Sequence, residues 1–80
     1  MDKQQIMGHL KRMLHRQFQI DEALVTPETR QNDIGIDSIL MVDLMLDIEN
    51  ELEFSFDMMD LPKNPSMDDI CELILRNLKH

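Results

Sequence analysis

The chain of 80 residues contains no tryptophan and no tyrosine, so leucine, isoleucine and methionine must do most of its packing. It has a single cysteine, Cys71, which excludes an intramolecular disulfide and suits a reducing compartment. No apolar run approaches the ~20 residues of a membrane span, and no secretory leader follows Met1. A cytoplasmic protein with no membrane partner is expected. Lysine and arginine are missing altogether between Gln31 and Pro62, a stretch that holds nine carboxylates. With a formal net charge of −8, this argues against nucleic acid as a partner, because a phosphate backbone demands the opposite sign. Basic protein surfaces are favoured instead.

What is present suffices for one small domain over residues 1–80, near the size at which a single core only just stabilises a fold. Residues 1–20 carry four Lys/Arg against one Asp, a net of +3, and the remaining sixty carry four against fifteen, a net of −11. Over residues 2–18, Ile6, Met7, Leu10, Met13, Leu14 and Phe18 form one broad helical stripe. His9 and His15 in this helix lack the i, i+4 spacing of a metal-binding pair and read as surface residues. Residues 19–37 have no sustained period, and a connection this long is expected to be packed down or functional. Leu24, Val25, Ile34 and Ile36 could pack it, and Thr26-Pro27-Glu28 is read as the start of a short helical turn.

Residues 38–53 read as a second helix with two apolar stripes. Met41, Leu44, Met45, Ile48 and Leu52 make the core face. Ile39, Val42 and Leu46 fall nearly opposite, among Asp43, Glu49 and Asn50. A helix buried on one side has no structural need of a second stripe, so these three suggest a docking surface. Asp57 is placed to cap a short third helix over 58–61, stopped by Pro62. Ser66-Met67-Asp68-Asp69 resembles a capping box ahead of a final helix, 66–78, that gathers Met67, Ile70, Cys71, Ile74, Leu75 and Leu78. Cys71 lies within that stripe and is expected to be buried and inert. The expected fold is all-α, a four-helix bundle with a long first loop and a short third helix.

The stretch from Asn32 to Leu44 is the focus of the chain. Asp37 and Ser38 are both residue types whose side chains accept the unpaired amides of a helix N-terminus, and Gly35 allows positive φ just before them. A phosphate on a serine at such a junction would be stabilised by the helix dipole and its free N–H groups. Gly35-Ile36-Asp37-Ser38-Ile39, followed by Val42, Asp43, Leu44 and Glu49, resembles the attachment signature of acyl and peptidyl carrier proteins, over nearly the whole chain.

The resemblance implies that Ser38, flanked by Asp37, bears a 4'-phosphopantetheine arm transferred from coenzyme A. It implies thioester-bound acyl groups and no catalysis by the chain itself. Partners would be a phosphopantetheinyl transferase and acyl-processing enzymes, such as an acyltransferase or ketosynthase with basic patches. Those patches would meet Ile39, Leu40, Val42, Asp43, Leu46 and Glu49 on a monomeric carrier. Leu40 stands where fatty-acid carriers usually have a polar residue, and it would enlarge the apolar surface near the arm. Gly-Ile-Asp-Ser-Ile resembles carriers of polyketide or mixed polyketide–peptide assembly, with a fatty-acid or peptidyl carrier as the alternative. The chain reads as a free-standing carrier. Met41, Met45, Met58, Met59 and Met67 could form a deformable core able to shelter an acyl chain.

Other chemistries fit less well. The serine lies in no Gly-x-Ser-x-Gly elbow, and no histidine is placed beside it in sequence. The acidic loops lack calcium-loop spacing, since Gly35 would stand at a ligand position and Asp57 has no following glycine. A helical interaction module using the Ile39/Val42/Leu46 stripe, without any arm, is the remaining class.

Overall fold

The computed structural model describes residues 1–57 and 60–78. It is built from α1 (Lys3–Phe18), α2 (Ser38–Leu52) and α3 (Met67–Leu78), with 3₁₀ turns at Glu22–Leu24 and Gln31–Ile34. The described residues contain no strand, only an isolated antiparallel bridge between Arg30 and Ser66. The all-α class is as expected. Of the short third helix expected over 58–61, Met58 and Met59 lie outside the described residues, and Asp60 and Leu61 are not helical.

Each helix starts where its capping chemistry is. Asp2 and Gln5 satisfy one another's backbone amides ahead of α1, at 2.8 and 3.0 Å. Ser66 and Asp69 do the same ahead of α3, at 3.1 and 3.0 Å, which is the reciprocal box read from the sequence. Gln19 and Glu53 close α1 and α2 in the left-handed conformation.

The core is one cluster. Ile6, Leu10, Met13 and Leu14 from α1 meet Leu44, Met45 and Ile48 from α2, and Met67, Ile70, Cys71 and Ile74 from α3. Met41 and Leu52, expected in the core stripe of α2, are only partly buried at its ends, as are Leu75 and Leu78 in α3. Leu73 and Asn77 are buried although they lie outside the apolar stripe of α3.

Two of the four Lys/Arg side chains of α1 pair with carboxylates of the other helices. Lys3 bridges Asp68 and Glu72 of α3 at 3.0 and 3.2 Å, and these bonds hold its ammonium above its usual pKa. Arg16 bridges Glu51 and Asp47 of α2 at 3.0 and 3.6 Å. His9, read as a surface residue, is half-buried with Nδ1 3.5 Å from the same Glu51.

The long first loop is stitched down. Its backbone pairs with the start of α3 through Gln31 N–H to Pro65 C=O, Met67 N–H to Thr29 C=O and Asp68 N–H to Pro27 C=O, at 2.8–3.0 Å. Val25 and Ile36 are buried beneath it and Ile34 is half-buried, while Leu24 faces solvent instead of packing. No helix starts at Thr26-Pro27-Glu28. The Thr29 amide bonds back to the Thr26 carbonyl and the Thr29 hydroxyl takes the Thr26 amide, which closes a tight turn.

Candidate functional site

The approach to α2 is tied down by backbone hydrogen bonds and one buried side chain. Gly35 sits at φ 72°, left-handed, and its amide is held by the carbonyls of Asn32 and Gln31. Ile36 then drives its side chain into the core and returns an N–H to Gln31, at 3.1 Å. Asp37 is the N-cap: its Oδ1 accepts the Leu40 amide at 2.9 Å, and its carbonyl accepts the Met41 amide at 2.9 Å. Ser38 is therefore the first helical residue. Its side chain is exposed and takes no hydrogen bond among the described residues. The first turn of α2 contains no acidic residue, so the carboxylate at this helix N-terminus is that of the cap, Asp37.

Beyond the serine, the second stripe is exposed as expected. Ile39, Val42 and Leu46 are 75%, 59% and 54% accessible, and Asp43 is exposed between them. Leu40 differs from expectation. It is half-buried against the core, so it adds little to the outer surface. Glu49 differs too. It is half-buried, and its Oε2 accepts the Phe56 amide at 2.7 Å.

Phe56 packs edge-to-face on Phe54, ring centroids 4.8 Å apart. With Val42, Met45, Leu46 and Glu49 it lines a shallow groove of about 210 Å³ on the same flank of α2. At 100° per residue, Ser38, Val42, Met45 and Glu49 lie within a narrow arc, so serine and groove share one line along the helix. Asn77 secures the next residue by accepting the Asp57 amide at 2.8 Å, while its own amide donates to the Leu73 carbonyl. Sequence reading missed both anchors, since a Glu and an Asn in helices carry no local signal of what they will hold.

Cys71 is fully buried, and burial pushes its thiol up to about 12, so it is no nucleophile at neutral pH. No group of metal-ligating side chains is found among the described residues, and no helix among them is long and apolar enough to cross a membrane.

The site is thus a capped helix with a free hydroxyl at its first position, beside an exposed acidic and apolar flank. Residues 8–74 match the family described as the phosphopantetheine attachment site. The chain is 32% identical to an acyl carrier protein of Thermotoga maritima over 77 residues, covering 95% of each. It is 30% identical to an acyl carrier protein of Coprothermobacter proteolyticus over 79 residues, covering 98% of this chain and 96% of that one. It is also 30% identical over 70 residues to a non-reducing polyketide synthase of Aspergillus fumigatus, covering 88% of this chain and 4% of the synthase. The chain belongs to the acyl carrier family, and its prosthetic group is a covalently attached 4'-phosphopantetheine. Such carriers work with a phosphopantetheinyl transferase and with acyl-processing enzymes.

Proposed function

We propose that Ser38 bears the phosphopantetheine arm and that the chain, as one cytoplasmic and monomeric carrier domain, presents acyl groups to separate enzymes without catalysing their reactions. The observation that carries this reading is the division of labour at the α2 junction. Asp37 caps the helix, which leaves the Ser38 hydroxyl exposed and uncommitted. The residues fit the group: a phosphodiester at Ser38 would sit at a helix N-terminus whose dipole and first amides favour an anion. When bound, the group supplies a thiol that holds acyl chains as thioesters. The rest falls to this chain. Asp37 keeps the attachment point rigid, Ile36 anchors the loop before it, and Asp43 with Ile39, Val42 and Leu46 forms the surface offered to partners.

Docking of this kind rests on exposed charge, which is screened by salt, around a modest apolar patch, so contacts should be weak and short-lived. The pathway we propose is polyketide or mixed polyketide–peptide assembly. The Gly-Ile-Asp-Ser-Ile motif supports it, as does similarity to a segment of a polyketide synthase. The half-buried position of Leu40 withdraws one argument against a fatty-acid role.

The test is intact mass after incubation with coenzyme A, magnesium and a broad-specificity phosphopantetheinyl transferase, with Ser38→Ala alongside. A gain of one phosphopantetheine unit, absent in the variant, is expected. A folded protein that gains nothing would return the chain to a plain interaction module.

A further inference from the structure

We propose that Asn64 is a positioning residue for the loading of Ser38: from 32 residues away it caps the turn through which the chain enters α2. This rests on the reading of Ser38 as the attachment point.

The 3₁₀ turn Gln31–Ile34 has no side-chain cap of its own. A helical turn leaves its first amides without internal partners, and the residue in front of it usually supplies an acceptor oxygen. Here that residue is Arg30, whose side chain can only donate. Asp33 N–H already meets the Arg30 carbonyl at 2.9 Å, so the amides left over are those of Gln31 and Asn32. Both are met from the segment before α3. Pro65 C=O accepts Gln31 N–H at 2.9 Å, and Asn64 Oδ1 accepts Asn32 N–H at 2.8 Å. The Asn64 carbonyl also accepts Arg30 Nη1, at 3.1 Å. Three oxygens of two adjacent residues thus hold three consecutive residues of the loop.

Asn64 does this from φ 49°, in the left-handed region. The other non-glycine residues there among those described, Gln19 and Glu53, end helices, and Asn64 ends none. Asparagine tolerates that conformation better than most side chains and brings the acceptor with it. The turn passes the constraint on. Its Asn32 and Gln31 carbonyls accept the amides of Gly35 and Ile36 at 3.3 and 3.1 Å, and Asp37 and Ser38 follow directly. Without the Asn64 side chain, buried Ile36 still anchors the loop, but the start of the turn is free to fray. A transferase that takes up the serine must then order the turn as it binds, which weakens affinity and leaves the chemical step alone.

The test compares Asn64→Gly, which keeps the left-handed backbone and removes the acceptor, with Asn64→Asp, which keeps both. In the unloaded protein, amide hydrogen exchange at Asn32 should rise roughly fivefold in Asn64→Gly and stay near wild type in Asn64→Asp. With a broad-specificity phosphopantetheinyl transferase, Asn64→Gly should raise the KM for the carrier roughly threefold at nearly constant kcat, and Asn64→Asp should load as wild type does. Asp2→Ala, which removes the cap of α1, controls for lost stability and should leave that KM unchanged. Unchanged Asn32 exchange or KM in Asn64→Gly overturns the proposal, as does an equal rise in KM in Asp2→Ala. Wild-type protein that gains no mass overturns the carrier reading as well, so the two failures are told apart.

Discussion

The Oδ1 of Asp37 accepts the amide of Leu40 at 2.9 Å, and this one bond frees the neighbouring serine from any part in building the helix. The two residues should therefore separate cleanly. Asp37→Ala should lower unfolding free energy by about 1 kcal/mol, as loss of a cap does, while Ser38→Ala stays within a few tenths. Urea denaturation of both variants checks this. A loss at Ser38 equal to that at Asp37 would mean the serine shares the cap.

Asp43 is the cleaner probe of docking, because Glu49 is tied to Phe56 while Asp43 is exposed. Asp43→Lys should raise the KM of the transferase for the carrier roughly tenfold at low salt, with the penalty shrinking as salt screens the contact. Circular dichroism should be unchanged. Kinetics equal to wild type at low salt would remove Asp43 from the interface.

The backbone gives a matched pair of tests. Gly35 at φ 72° meets nothing within 4 Å of an added Cβ, so Gly35→Ala should cost about 1 kcal/mol from conformation alone. Glu53, at φ 56° on the C-cap of α2, is a non-glycine in the same region, and Glu53→Gly should stabilise by about 0.5–1 kcal/mol. Thermal denaturation reads both signs. Equal effects of one sign would contradict the strain assigned to these positions.

Cys71 should be silent to thiol reagents in the native protein. In the loaded protein one thiol, that of the arm, should react near neutral pH, and a second should appear only in denaturant. Alkali gives the sign of its linkage. A cysteine is charged when deprotonated, and burial raises the folded pKa to about 12 above an unfolded value near 8.5. Stability is thus unaffected below that unfolded value and is lost as pH climbs from there towards 12. Cys71→Ala should flatten that decline in pH-dependent urea midpoints, whatever it does to the baseline.

The three helices were legible because each buries a stripe with a period near 3.6 and opens on a local cap. Asp37 and Ser66 need look no further than three residues for their partners. The exposed Ile39/Val42/Leu46 stripe was legible for the same reason. The segment 54–65 was not. Phe56 is held by Glu49 and Asp57 by Asn77, while Asn64 accepts the amide of Asn32, partners 7, 20 and 32 residues apart. No period encodes such contacts. Glu49 also lies at the edge between the two stripes of α2, where helical geometry cannot decide whether it turns out or in. At Thr26 the local signal was real but misread, because a threonine before proline serves a turn as readily as a helix.

Lys3 and Arg16 lie against carboxylates of α3 and of the far half of α2, whereas Asp33, Asp37 and Asp43, close to the serine in sequence, make no salt bridge among the described residues. The consequence concerns timing more than strength. A basic rim on an approaching enzyme is turned towards the serine while still about 8 Å away at physiological salt. Productive collisions become more frequent, and departures are not slowed, because no buried ion pair has to be broken. The lopsided neutralisation of this small fold thus leaves its negative field strongest near the serine, where it acts on the rate of encounter more than on the lifetime of a contact.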